Sequence, residues 1–249
     1  MSDYSRRYLQ KAIDLLARIR DEEGQALDAA AGMIADAVEQ GHCIFAFGCT
    51  HSSLPIQDLV YRAGGFMLIN PIFGQGITAL DTRPTTISSA MEQMPGYAKV
   101  ILDNSPAKAG DVLILVSVSG RNAVPIEFAE LAKARGMRVI AVISREYTSA
   151  VTSRHPSGRK MHEFVDLILD NKAPKGDAVL EDKRMPQKFN PVSGVTSTAL
   201  LQALVAAAIE ELLRRGFTPP VFLAANVDGG AEYNARLIQQ YHDRIFYMQ

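Results

Sequence analysis

Val112-Leu-Ile-Leu-Val116, Ser117-Val-Ser-Gly-Arg-Asn122, Pro125-Ile-Glu-Phe-Ala-Glu-Leu-Ala-Lys-Ala134 and Arg138-Val-Ile-Ala-Val-Ile143 follow one another through the middle of the chain. The first is a continuous apolar run of strand length, and the last, after Arg138, is another. The third carries apolar residues at helical spacing and is stopped by Gly136. Together they predict a strand-loop-helix-strand unit of roughly thirty residues. Strands without polar alternation are buried on both faces, so an α/β fold with a parallel sheet is expected.

The loop Ser117–Asn122 is chemically pointed. Ser117 and Ser119 supply hydroxyls, and Gly120 lets the backbone turn tightly and approach a ligand. Asn122 is placed to cap the following helix, and Pro125 suits its first turn. A helix start offers free N–H groups and a positive dipole end, which suits a phosphate. Ser and Gly are also ordinary turn residues, so a well-capped βα turn without a ligand explains the same residues.

Working toward the N-terminus, His42-Cys-Ile-Phe-Ala-Phe47 predicts another buried strand. It leads into Gly48-Cys-Thr-His-Ser-Ser53 and a helix over Leu54–Ala63. Two such turns at the carboxyl ends of adjacent parallel strands face one crevice, the usual ligand site of an open α/β sheet. His51 lies in the first of them, either as a surface residue or as an acid-base group. Tyr8–Ile19 and Glu22–Val38 show apolar stripes of two helices, or of one kinked helix. Phe66–Ile69 predicts a short strand, with Asn70-Pro71 as a break. Residues 72–88, including Asp81, read as an irregular lid or interface segment. Ile87–Leu102 predicts a helix broken at Pro95-Gly96, with Glu92 on it.

Toward the C-terminus, Ser144–Ser149 reads as a third polar loop and Ser153–Lys160 as a basic, turn-rich loop. Val165–Asp170 predicts a strand, and Asp182–Pro191 is polar. Ser193, Thr196, Ser197 and Thr198 open a strongly apolar helix over Ala199–Leu213, a second anion-site candidate with capping as its plainer explanation. A polar, glycine-rich stretch at Asn226–Asn234 precedes a helix expected over Ala235–Tyr247.

Composition bounds the function. The chain has 249 residues, 47% hydrophobic and 21% charged, with 26 basic against 27 acidic side chains. That balance argues against nucleic acid as the main partner. No run of side chains reaches the ~18 consecutive apolar residues of a membrane span. Cys43 and Cys49 form neither a metal-type cluster nor a disulfide framework, so a reducing, cytoplasmic setting is expected.

Phe45-Ala-Phe-Gly-Cys-Thr-His-Ser-Ser53 and Gly110-Asp-Val-Leu-Ile-Leu-Val-Ser-Val-Ser-Gly-Arg-Asn122 resemble the sugar isomerase (SIS) domain of phosphosugar isomerases and phosphosugar-binding regulators. Tyr61–Gly65, Ser153–Gly158, Asp170-Asn171 with Gly176-Asp177, and Pro219–Gly230 extend the resemblance to a UPF0309-like bacterial family of chains of this length. The resemblance implies a three-layer αβα sandwich with a five-stranded parallel sheet of flavodoxin-like type. It implies a single SIS domain over 1–249, with an N-terminal helical segment to 40 and a C-terminal extension over 217–249. The family's phosphate loop maps onto Ser117, Ser119, Gly120 and Asn122, and its first loop onto Gly48, Thr50, His51 and Ser52. Ser144 and Ser149 match a third, weaker hydroxyl position. A homodimer or homotetramer with shared sites is implied as well. One departure stands out. Phosphoheptose isomerases and N-acetylmuramic acid 6-phosphate etherases carry a catalytic glutamate at the position occupied here, counted from Ser52, by Arg62.

The resulting expectation is an aldose/ketose phosphate isomerase that works by proton transfer. Its ligand is a small phosphosugar, and no cofactor, metal, nucleic acid or membrane is called for. Phosphate would sit on Ser117, Ser119 and the helix start. Glu92, Glu181 and Glu232 are candidate bases, with Glu92 favoured because its segment must pack near the carboxyl ends of the central strands. His51 is the candidate for ring opening or carbonyl polarisation. A phosphosugar sensor without catalysis and a phosphosugar lyase or etherase remain the alternatives.

Overall fold

The chain alternates helices and buried strands as the apolar pattern predicts. The computed structural model describes residues 1–78 and 82–249, so part of the irregular segment 72–88, Asp81 included, lies outside the described residues. Ser2 caps α1 (Asp3–Glu22) by accepting from Ser5 N, and Glu23 separates it from α2 (Gly24–Glu39). Then follow β1 (Ile44–Gly48), α3 (Leu54–Gln57), β2 (Ile69–Pro71), α4 (Thr86–Met91), α5 (Tyr97–Asp103), β3 (Val112–Val116), α6 (Ala123–Ala134), β4 (Arg138–Ile143), α7 (Arg145–Ser149) and β5 (Leu167–Asp170). A hairpin of β6 (Ala178–Leu180) and β7 (Phe189–Pro191) leads into α8 (Ser193–Arg214) and α9 (Gly230–Gln240).

Strands β1 to β5 form one parallel sheet in the order β2-β1-β3-β4-β5. Alternate residues of each strand serve opposite layers. Ile44, Ala46, Ile114, Val116, Ile140 and Val142 pack with α2 and α8. Phe45, Phe47, Leu113, Leu115, Val139 and Ala141 pack with α5 and α6. Phe47 stacks on Phe128 of α6 with ring centroids 4.0 Å apart. These are the covered faces that a parallel sheet requires. By length and composition α8 is apolar enough to cross a membrane. Part of its apolar surface packs in the core, with Leu200, Leu201, Leu204 and Leu212 fully buried, while Val195 and Leu213 are exposed.

The connections explain where a crevice opens. Ile56 of α3, after β1, packs in the layer with α8, whereas α6, after β3, packs in the opposite layer. Adjacent strands whose connections leave on opposite faces part at their carboxyl ends, and that opening lies between β1 and β3.

Several expected elements differ. The helix after β1 stops at Gln57 because the chain turns to pair with the C-terminal segment. Tyr61 takes φ +49°, Gly64 N donates to Phe222 O at 2.8 Å, and Met67 N donates to Pro220 O at 3.0 Å. The edge strand is Ile69–Pro71 rather than 66–69, and an edge tolerates Pro71 because no second ladder needs its N–H. Ser144–Ser149 is not an open loop, since Arg145–Ser149 forms the short helix α7. The polar stretch 182–191 contains β7, which pairs antiparallel with β6. The strongly apolar helix begins at Ser193, before Ala199. The last helix starts at Gly230, after the left-handed Gly229, and ends at Gln240. Beyond it the chain folds back, with Ile245 in the core and the Tyr247 hydroxyl donating to Met67 O at 2.8 Å.

Candidate functional site

The loop after β1 is built by close backbone approach. A Cβ on Gly48 would lie 2.4 Å from Ser52 O, so only glycine fits there. Thr50 has φ +50° and ψ −128°, an unfavourable conformation for a β-branched residue. It is held by Thr50 N donating to Ile77 O at 2.6 Å and by Ser53 Oγ donating to Thr50 O at 2.8 Å. Strain of this kind persists where surrounding structure over-determines it and concentrates at ligand sites. His51 and Ser52, in the 3₁₀ turn that follows, face the crevice.

The loop after β3 keeps Ser117 buried and Ser119 half-buried. Gly120 sits at φ +59° and its carbonyl accepts Met161 N at 3.0 Å. Asn122 occupies the cap position of α6, but its side chain does not cap the helix, contrary to expectation. A cap side chain accepts from the second or third helical N–H. Here the third helical residue is Pro125, which has none, and Val124 N already donates to Glu92 O at 3.0 Å. Asn122 is thereby freed. Its Oδ1 accepts from Arg154 Nη1 at 3.2 Å, and its side chain lies beside the Glu92 carboxylate, whose charged form it favours.

Glu92, just past α4, links the two loops. Its carbonyl sits on the start of α6, and its carboxylate lies 3.5 Å from the Thr50 hydroxyl. Burial lifts its pKa above the ordinary glutamate value. The bonds from Asn122 and Thr50 and the charge of Arg154 pull it down without cancelling that effect. A half-buried carboxyl that holds its proton more tightly than usual, between the loops that follow β1 and β3, is a candidate acid-base group.

Beside the loops is a cavity of about 530 Å³. Val116, Val118, Leu54, Pro55 and Val195 give it apolar walls, and His51, Ser52, Asp177 and Ser193 give it polar ones. The start of α8 borders it, but the expected second anion site there is already filled. Asp177, at φ +67°, accepts Val192 N at 3.1 Å, Ser193 N at 2.7 Å and Ser193 Oγ at 2.6 Å. Ser197 accepts from Asn171 and Thr196 turns back to Val192 O, so these hydroxyls serve the fold. Asp177 was not among the residues singled out for chemistry. A carboxylate that caps a helix start across an intervening hairpin leaves no local spacing to find it by.

The remaining candidates lie elsewhere. Glu181 is exposed on the hairpin, 3.8 Å from Lys188, and Glu232 is exposed in the first turn of α9. Ser144 caps α7 through Tyr147 N at 2.9 Å and donates to Ala173 O. Ser149 is exposed and donates to Glu146 O at 2.9 Å. Arg62 pairs with Asp58 and donates to its carbonyl at 3.1 Å, securing the end of the short helix. In the basic loop, Arg159 lies 3.9 Å over the Phe164 ring and Lys160 Nζ donates to Thr148 O at 2.6 Å. Arg154 is the loop's cation that reaches Asn122 and acts on Glu92. Among the described residues, no three His, Cys, Asp or Glu side chains are grouped to hold a metal.

The SIS domain model matches residues 7–144. A UPF0309 protein of Streptomyces coelicolor is 48% identical over 249 residues, covering 99% of each chain. A UPF0309 protein of Oceanobacillus iheyensis is 41% identical over 245 residues, covering 98% of this chain and 99% of its own. Among solved structures, phosphoheptose isomerase from Neisseria gonorrhoeae is similar in fold, with a TM-score of 0.56 at 18% identity, over 84% of this chain and 98% of that one. The Vibrio vulnificus NanR protein complexed with ManNAc-6P is similar with a TM-score of 0.51 at 16% identity, over 98% of this chain and 70% of that one.

Proposed function

The chain belongs to the SIS-domain family, and from that premise we propose that it binds a phosphosugar between β1 and β3 and moves a proton on it, as an aldose/ketose phosphate isomerase. The observation that carries this reading is Glu92, a desolvated carboxyl held between Thr50 and Asn122 at the mouth of both loops. The phosphate is anchored by Ser117, Ser119 and the turn of the Ser117–Asn122 loop ahead of α6. Glu92 takes the proton from the carbon beside the carbonyl, and His51 polarises the carbonyl oxygen or opens the ring. Return of the proton to the former carbonyl carbon, with a hydroxyl proton passing between the two oxygens of the enediol, yields the isomer. Expulsion of a leaving group from the same enediolate would make the protein a lyase. Leu54 and Val195 stand exposed at the cavity, which fits the homo-oligomer that the family resemblance implies.

A binding-only reading has its own observation. The position of the glutamate used by phosphoheptose isomerases is Arg62 here, and it is engaged with Asp58. A thermal-shift panel of aldose, ketose and amino-sugar phosphates, with the unphosphorylated sugars beside them, tests the shared part of both readings. A ligand that binds the native state raises Tm through linkage. We expect a rise with a phosphosugar and none with its unphosphorylated form. Ser119→Ala should weaken that ligand by roughly 1–3 kcal/mol, the usual cost of removing a partner of a charged group. Equal shifts with and without the phosphate would sink the assignment.

A further inference from the structure

Arg154 stands at the edge of the proposed phosphate site with its root fixed and its head exposed. Its backbone N donates to Arg121 O at 2.8 Å, within the Ser117–Asn122 loop. The next residue, His155, is pinned by Glu127 at 3.2 Å, and Glu127 also accepts Gly96 N at 2.7 Å. Glu127 therefore ties the loop carrying Arg154 to the segment that follows Glu92. Among the described residues, the guanidinium spends a single N–H, on Asn122 Oδ1 at 3.2 Å.

That bond is a weak use of a strong donor. A guanidinium to a neutral amide oxygen makes one ordinary hydrogen bond, whereas a guanidinium to a phosphate makes two parallel charge-assisted ones. Asn122 is free to be held in this way because Pro125 and Glu92 O leave it no helix N–H to cap. We propose that Arg154 is a positioning residue that answers to the substrate: in the observed arrangement its guanidinium holds the Asn122 amide toward Glu92, and a phosphate in the Ser117–Asn122 loop draws the guanidinium onto itself. This rests on the phosphate-binding reading of that loop. The consequence is that phosphate arrival strips Glu92 of its cationic neighbour and makes its carboxylate a stronger base once the substrate is seated. The groups that act on Glu92 are the Thr50 hydroxyl, the Asn122 amide and Arg154. The nearby Cys49 thiol is kept neutral by burial, so Arg154 supplies the charge among these described residues.

The test uses inorganic phosphate as the probe. Phosphate binding is followed by NMR titration in the wild type, Arg154→Gln and Arg154→Lys. The Glu92 carboxyl is titrated by ¹³C NMR, its resonance assigned by its absence in Glu92→Gln. We expect Arg154→Gln to weaken phosphate binding at least about ten-fold, and Arg154→Lys to restore part of it as a point charge without the bidentate fork. Without phosphate, the Glu92 titration midpoint should be higher in Arg154→Gln than in the wild type. The side chain is exposed, so both variants should fold, which circular dichroism checks. If the wild type binds phosphate and Arg154→Gln binds it equally well, or if the Glu92 midpoint does not rise, the role of Arg154 is overturned and the phosphate loop stands. If the wild type binds neither phosphate nor any phosphosugar, the loop reading falls and this inference with it.

Discussion

Glu92 holds its proton more tightly in the folded chain than in the unfolded one, because burial penalises its charged form more than Asn122, Thr50 and Arg154 favour it. The sign of the linkage follows. Its contribution to stability is fully present below the ordinary glutamate value of 4.5 and is lost as pH rises through the higher folded value. Above that range the ionised carboxylate is a net cost. Glu92→Gln carries no charge, so the Tm of the variant relative to wild type should climb as pH rises from about 4.5 through the raised folded value. A difference that is flat or falls with pH would contradict the desolvated carboxyl. The same substitution should abolish any proton transfer, the usual trade of stability for function at such a site. At this scale the sequence pointed to Glu92 only through its neighbourhood. Neither its spacing nor its residue type distinguished it from Glu181 or Glu232, and what separates them is burial, which arises from long-range packing.

The start of α8 shows how an element can mislead. Its serines and threonines carry the pattern of an anion site, and an anion is indeed there, but it is the protein's own Asp177. Asp177→Ala removes that cap and places a residue with no taste for positive φ at +67°. Loss of a cap costs about 1–2 kcal/mol, which for a chain of this size lowers Tm by roughly 2–8 °C. Asp177→Asn should lose less, since asparagine tolerates the left-handed region and still accepts N–H bonds. Equal losses for the two would mean that the charge, not the backbone conformation, is what matters. The start of α6 shows the opposite case. Asn122 had the identity and position of a cap, yet Pro125, three residues on, lacks the N–H it would have taken. That exclusion was written in the sequence, and the partners it frees Asn122 for were not.

For the molecule as a whole, the covered parallel sheet was legible because β1, β3 and β4 are apolar along their length, apart from Arg138 at the start of β4, a pattern that two-sided burial satisfies. The crevice between β1 and β3 was legible for the same reason, once each strand was seen to end in a glycine and hydroxyl turn. The short strands were not. β6 and β7 have three residues each, and β2 contains Pro71. Segments so short take their structure from their partners, with Phe66 bridged to Val221 and Asn70 bonding Arg244 O at 2.9 Å. The C-terminal fold-back was invisible from local pattern because its contacts lie at the far end of the chain.

The central claim is that this crevice holds a phosphosugar and that Glu92 moves its proton. The most direct measurement is ¹H NMR of the phosphosugar found by thermal shift, incubated in D₂O with wild-type protein and with Glu92→Gln. Proton abstraction beside the carbonyl predicts loss of that C–H signal through deuterium wash-in with the wild type, slowed by roughly 10²–10⁴-fold in the variant. A bound ligand whose C–H signals persist with the wild type, or exchange equally fast with Glu92→Gln, would contradict the account.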